Sequence, residues 1–253
     1  MNDKADTPVE RARRAARAPL RRRFYDRARA AKTKSGFHVL LDGSPIQTPA
    51  RTPLVLPARA LAEAVAAEWQ VQGTNIDPAA LPLTRLAFTV IDRVARAREA
   101  VIDALVAYAG SDLVCYRAEE PEGLIARQRQ AWDPVLAWAA EQGLELVTVA
   151  GLTPRAQPRK ALDGFREQIE IESDFILGAL ADMTGLMGSA LLALAVLRRR
   201  LSAEEAWAAA HVDEDWQIAQ WGEDAEAAQR RRARWCDMQA AARMVAMLSR
   251  KKR

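Results

Sequence analysis

The chain has 253 residues, half of them hydrophobic, with 37 Lys and Arg against 33 Asp and Glu. That composition affords a substantial core and excludes a disordered chain, while two cysteines, Cys115 and Cys236, are too few for a disulfide framework and fit a reducing cytoplasm. The net charge of +4 does not indicate a nucleic-acid binder: residues 1–23 hold eight Lys/Arg and three Asp/Glu, or +5, so the remaining body is near −1 and offers no basic excess for a folded face.

Residues 1–23 are rich in arginine and alanine and lack the apolar side chains that would offset the entropy of ordering, so they read as a disordered basic tail. Asp3, Asp6 and Glu10 weigh against a transit peptide, and no apolar run suits a secretory signal. From Phe24 the pattern changes. Phe37 to Leu41 predicts a strand, Asp42-Gly43 a hairpin turn, and Pro45, Pro49, Pro53 and Pro57 irregular edges. A helix then runs from Pro57 to about Gln72, with Leu61, Val65 and Trp69 on one face, and Gly73-Thr74-Asn75 stops it. Residues 24–80 are therefore expected to form a β-rich N-terminal domain ending in a helix.

Residues 81–253 read as an α-helical C-terminal domain, which makes the fold class α+β. Leu83, Leu86, Val90, Ile91 and Val94 keep a helical period, as do Val101, Ile102, Leu105 and Val106 before Gly110. Asp112 to Tyr116 reads as a short strand or extended entry. Glu119-Glu120-Pro121-Glu122 then opens a helix, with Trp132-Asp133-Pro134 as a cap or kink and Trp138 beyond. Leu144 to Val149 alternates as a short strand, and Gly151 to Pro158 is linker-like. Leu162, Phe165, Ile169 and Ile176 mark one face of a long helix. The apolar run from Gly185 to Leu197 is too short for a bilayer, which needs about 20 residues, and predicts a buried helix with no stable membrane insertion. Ser202-Ala203-Glu204-Glu205 is a capping box for a helix ending near Val212. From Asp224 a last helix turns Trp235, Met238, Val245 and Leu248 inward.

Catalytic chemistry is thinly represented. His38 and His211 are far apart and lack metal-ligand spacing, Gly185 and Gly188 lack the Gly-Lys-Ser/Thr of a phosphate loop, and Cys115 lies in an apolar run with no base beside it. Carboxylates are plentiful at Glu119, Glu120, Glu122 and at Asp213, Glu214, Asp215; acids in a first helical turn are favoured by the dipole without any other role. A small-molecule enzyme using paired carboxylates is the alternative, and a cleft holding two acids of perturbed pKa would distinguish it. Trp216 and Trp221 are five residues apart, about 140° around a helix, so they cannot share one core face and one of them is expected to be exposed.

Three short motifs in order resemble a known family. They are Glu68-Trp69; Asp112 with Cys115-Tyr116-Arg117, Glu119-Glu120-Pro121, Gln128, Trp132-Asp133-Pro134 and Trp138; and Asp215-Trp216-Gln217-Ile218 with Trp221-Gly222. The set resembles the ATP synthase assembly chaperones of the "ATP-twelve" family, which hold the free alpha subunit of the soluble catalytic head. The resemblance implies a molecular chaperone and not an enzyme, binding stoichiometrically without ATP hydrolysis, cofactor or metal. Its implied partner is the alpha subunit, shielded from aggregation until the beta subunit replaces the chaperone. The implied compartment is the bacterial cytoplasm, or the mitochondrial matrix in a eukaryote. Glu214, Asp215, Trp216, Gln217 and Trp221 are the expected partner-binding residues. Trp69, Asp112, Tyr116, Arg117, Trp132, Asp133 and Trp138 are the expected structural signature.

Overall fold

A computed structural model describes residues 20–151 and 155–249. The tail assigned to residues 1–23 falls mostly outside them. Its last residues belong to the folded body: the Ile76 and Arg23 amides donate to the carbonyls of Arg21 and Thr74, at 2.8 and 2.9 Å.

The fold is α+β. Strands β1 (Ala28–Thr33) and β2 (Gly36–Leu41) pair antiparallel with Ala28 opposite Leu41, and β2 also pairs with the two-residue strands β3 (Ser44–Pro45) and β4 (Val55–Leu56). The β2–β3 turn is Asp42-Gly43, with φ of 46° and 92°; the left-handed pair supplies the twist a two-residue hairpin needs. The Asp42 carboxylate also accepts from the Asp26 and Arg27 amides, at 3.0 and 2.9 Å, fastening the strand entry. Against this sheet lies α1 (Arg59–Gln70), burying Leu61, Val65 and Trp69.

Two helices, α2 (Pro82–Asp92) and α3 (Arg98–Gly110), lead to the segment that begins at Asp112. Glu68 reaches from α1 to the start of α2, accepting from the Leu83 amide, the Thr84 amide and the Thr84 hydroxyl at 2.7, 2.9 and 2.7 Å. A carboxylate distant in sequence thus caps amides that α2 cannot satisfy itself. The neighbouring Trp69 indole donates to the same Thr84 hydroxyl at 3.1 Å.

The stretch after α3 departs from the expected strand. Leu113–Cys115 form a 3₁₀ turn, because the Asp112 carboxylate accepts from the Val114 amide at 3.2 Å and curls the backbone; only β5 (Tyr116–Arg117) is extended. Helix α4 (Glu122–Glu141) follows and continues through Pro134, which therefore does not cap it. The missing hydrogen bond is tolerated because its neighbours are anchored: Trp132 is fully buried and donates to the Ala209 carbonyl at 2.7 Å, while Asp133 pairs with Arg117 at 2.8 Å. Trp138 packs half-buried on the core.

Of the strand expected over 144–149, only β6 (Val149–Ala150) exists, parallel to β5. The side-chain amide of Gln157 occupies both backbone groups of Val147, at 2.7 and 2.9 Å, in place of a partner strand. The single long helix expected over 162–176 is two, α5 (Arg159–Glu170) and α6 (Asp174–Met187). Arg98 makes the break. Its guanidinium donates to the carbonyls of Glu170 and Glu172, at 2.6 and 2.7 Å, and to the Asp174 carboxylate at 2.6 Å, satisfying the end of one helix and the start of the next.

Helix α7 (Ala190–Leu197) is buried at every position, and among the described residues no helix is long and apolar enough to cross a membrane. Then come α8 (Ala203–Ala210), with the full Ser202/Glu205 capping box, α9 (Val212–Trp221), and α10 (Ala225–Leu248), capped by Asp224. α10 packs its second half on α6 and α2. A continuous apolar core extends from Tyr25 and Val39 in the sheet region through Trp132 and Met183 to Val245.

Candidate functional site

The segment expected to carry binding is α9, which begins one residue after α8 ends because His211 terminates that helix. His211 is buried, stacks on Trp207 at 3.9 Å between ring centroids, and its Nδ1 lies 2.7 Å from the Trp207 carbonyl. A carbonyl only accepts, so Nδ1 carries the proton. Burial first lowers the His211 pKa, with the Trp207 and Glu214 contacts opposing. The imidazole is therefore a neutral structural hinge between the two helices.

None of the residues of α9 is fully buried. The helix is held along two edges. Toward α4, Gln128 is the clamp: buried, it accepts from the Ala118 amide and donates to the Asp213 carboxylate, both at 2.8 Å. Trp216 lies against Gly123 in the first turn of α4, where a Cβ would come within 2.6 Å of the indole ring, and Arg127 stacks over it at 4.9 Å. Gly123 is small because Trp216 needs the space. Toward α10, Asp215 and Arg231 form an ion pair at 2.5 Å, with the two side chains 44% and 25% exposed.

What remains is one exposed line. Glu214, Gln217 and Trp221 recur at helical spacing on the solvent side, and Trp221 is 80% exposed. The five expected binding residues thus divide: these three face outward, Trp216 faces α4, and Asp215 faces α10. The sequence could show that Trp216 and Trp221 point apart. Which one is exposed depended on Gly123, ninety-three residues upstream of Trp216.

The signature residues other than Trp69, which packs in α1 beside Tyr25 and Thr84, lie around a different place, the joint where β5, α4, α7 and α8 meet. Asp112 is wholly buried and accepts from the Leu191 amide at 2.9 Å as well as from Val114, so it anchors the start of α7. Burial pushes its carboxyl up to about 6, against hydrogen bonds from Ser189 and three amides. Arg117 lies over Trp132 at 5.1 Å and pairs with Asp133, which fixes β5 to α4; Tyr116 is half-buried beside it. Cys115 is buried, and burial followed by the Asp112 charge raises its thiol to about 12, far from a nucleophile's range.

A second acidic place, a cavity of about 340 Å³ between α2, α6 and α10, holds Asp182 and Asp237. Asp237 is taken by Arg85, so the cavity does not hold the two free carboxylates that the paired-carboxylate alternative calls for. Burial, and then the Asp237 charge, raise the Asp182 pKa from 3.8 to about 6. A carboxyl whose pKa rises on folding stabilises the fold while protonated; the contribution is complete below pH 3.8 and lost as pH rises through about 6. Asp182→Asn is accordingly expected to stabilise the protein at pH 7.5 by about 1–2 kcal/mol, discounted for partial exposure, and to have no effect at pH 3.5. Urea melts of both proteins at the two pH values check this, and an equal gain at both would disprove the linkage.

Comparison with known proteins bears on what this surface serves. Residues 22–140 match the family model described as ATP12 chaperone protein. The structure is similar to that of the Atu1473 protein from Agrobacterium tumefaciens, with 44% identity, a TM-score of 0.88, and 97% of this chain and 92% of that one covered. It is also similar to Atp12 from Paracoccus denitrificans, with 40% identity, a TM-score of 0.84, and 90% and 98% covered. A mutant of that Paracoccus protein matches at 39% identity and the same TM-score, with 90% and 97% covered. The chain belongs to the ATP12 chaperone family.

Proposed function

We propose that this member of the ATP12 chaperone family assists assembly of the ATP synthase, binding the unassembled alpha subunit of its catalytic head through the outer face of α9 until the beta subunit takes its place. A free subunit exposes the apolar surface meant for its neighbours, and such surface aggregates. A protein covering it must bind specifically and still yield. The observation that carries the reading is Trp221: a large apolar side chain 80% exposed at the end of a helix with no buried residue, beside Glu214 and Gln217. Tryptophan is enriched among the residues that dominate interface energy. In this reading the sheet-bearing module through about residue 80 is scaffold and the helical module carries the contact. Binding is stoichiometric, uses no ATP, and takes place in the bacterial cytoplasm.

The direct test is the fate of freshly diluted alpha subunit. With one equivalent of this protein and no nucleotide, light scattering should stay low and the two chains should co-purify. Trp221→Ala is expected to leave the melting temperature within about 1 °C, because an exposed side chain has little packing to lose, and to weaken capture about 10-fold or more. Unchanged scattering with the wild-type protein would refute the chaperone reading. Full capture by Trp221→Ala would move the contact off α9.

A further inference from the structure

We infer that the cleft between α4, α8 and α9, about 700 Å³ in volume, receives an extended segment of the bound alpha subunit that is apolar along one side and carries a carboxylate. The inference rests on the chaperone reading and says what chemistry the client presents. The cleft is apolar at its base, formed by Ala131, Val135, Leu201 and Val212. Four charged side chains border it, and they do not balance. Glu205 accepts from the Ser202 amide at 2.7 Å, and Asp215 is matched by Arg231. Arg200 is exposed and makes no ion pair among the described residues; Arg127 has the indole of Trp216 beneath it and likewise no carboxylate. With Asp215 neutralised by Arg231, two guanidinium groups face one carboxylate, Glu205, whose hydrogen bond from a neutral amide leaves its charge in place, so the cleft carries one excess positive charge and attracts negative charge.

The wall supplies a second, independent feature. Pro134 lines the cleft in the interior of α4 and has no amide hydrogen, so the carbonyl of Gln130, four residues earlier on the same side, lacks its usual i+4 donor. No side chain among the described residues donates to it. A backbone acceptor without its usual donor, beside apolar side chains, suits the amide of an extended chain, and Arg200 at the rim suits a carboxylate on that chain. The adjoining hollow between α8 and α10 shares Arg200, Leu201 and Glu205 with the cleft and adds Arg199, Arg243 and Glu204.

Pro134→Ala separates this role from a structural one, because its two effects have opposite signs. Restoring the amide closes the Gln130 carbonyl and mends the helix, so the melting temperature should rise by about 5 °C or more, while affinity for purified alpha subunit should fall about 5- to 10-fold. Arg200→Glu, at an exposed position, should weaken affinity about 10-fold or more and flatten its dependence on salt. Wild-type affinity in both variants overturns the inference. If Trp221→Ala loses affinity while both cleft variants keep it, the cleft is excluded and the chaperone reading stands. If wild-type protein does not bind the subunit, both fall together.

Discussion

Asp112→Ala should cost about 3–5 kcal/mol of stability, the largest loss expected from any single polar substitution here. Asp112 has no exposed surface, and its two oxygens accept from Val114 on one side and Leu191 on the other. Alanine would leave those amides, and the start of α7, without partners in a dry place. Each orphaned buried donor costs about 1–3 kcal/mol. With total stabilities of about 5–15 kcal/mol, that is a large share. Asp112→Asn keeps one acceptor oxygen and removes a charge that burial disfavours, so it should recover at least half the loss. Equilibrium denaturation in urea at pH 7 measures both variants; an alanine variant within about 1 kcal/mol of wild type would show that Asp112 is not the anchor of that joint.

Asp215→Lys has the largest expected effect on binding. Asp215 sits between two roles: it matches an acidic position of the family motif, and it pairs with Arg231 across α9 and α10. The substitution places an ammonium beside a guanidinium. Because the pair is partly exposed, stability should fall by only about 1 kcal/mol. If the carboxylate also meets a basic group of the client that lies outside the segment held in the cleft, capture should fall about 30-fold or more. Asp215→Lys combined with Arg231→Glu distinguishes the two roles. The swapped pair can hold α9 to α10 again, so the melting temperature should recover, whereas the charge presented by α9 stays reversed and capture should remain weak. Recovery of both would reduce Asp215 to a strut.

Where the sequence predicted structure well, the signal was local. The Asp42-Gly43 turn, the Leu61, Val65 and Trp69 face of α1, the Ser202/Glu205 capping box and the Asp224 cap each involve residues within about two helical turns of one another. Where it did not, a distant side chain decided the outcome. Arg98 splits α5 from α6 across more than seventy residues, Gln157 replaces a strand partner for Val147, and β1, whose Ala-Arg-Ala-Ala-Lys-Thr carries little β signal, is a strand because β2 pairs with it. The same limit applied to the site. Motif order marked the Asp215 to Trp221 segment, but only packing could assign Trp216 to Gly123, Asp215 to Arg231 and Trp221 to solvent. The acids read as helix starts were partly that: Asp213, Glu214 and Asp215 do lie in the first turn of α9. Glu68 and Asp112 cap helices too, though helices far along the chain from their own.

The proposed chaperone holds a free alpha subunit and surrenders it. Calorimetric titration of purified alpha subunit into this protein, without nucleotide, followed by addition of beta subunit, tests both halves in one cell. One saturable site per chain is expected, with release of the chaperone as alpha and beta associate. Absence of saturable binding, or a complex that beta subunit cannot dissolve, would contradict this reading.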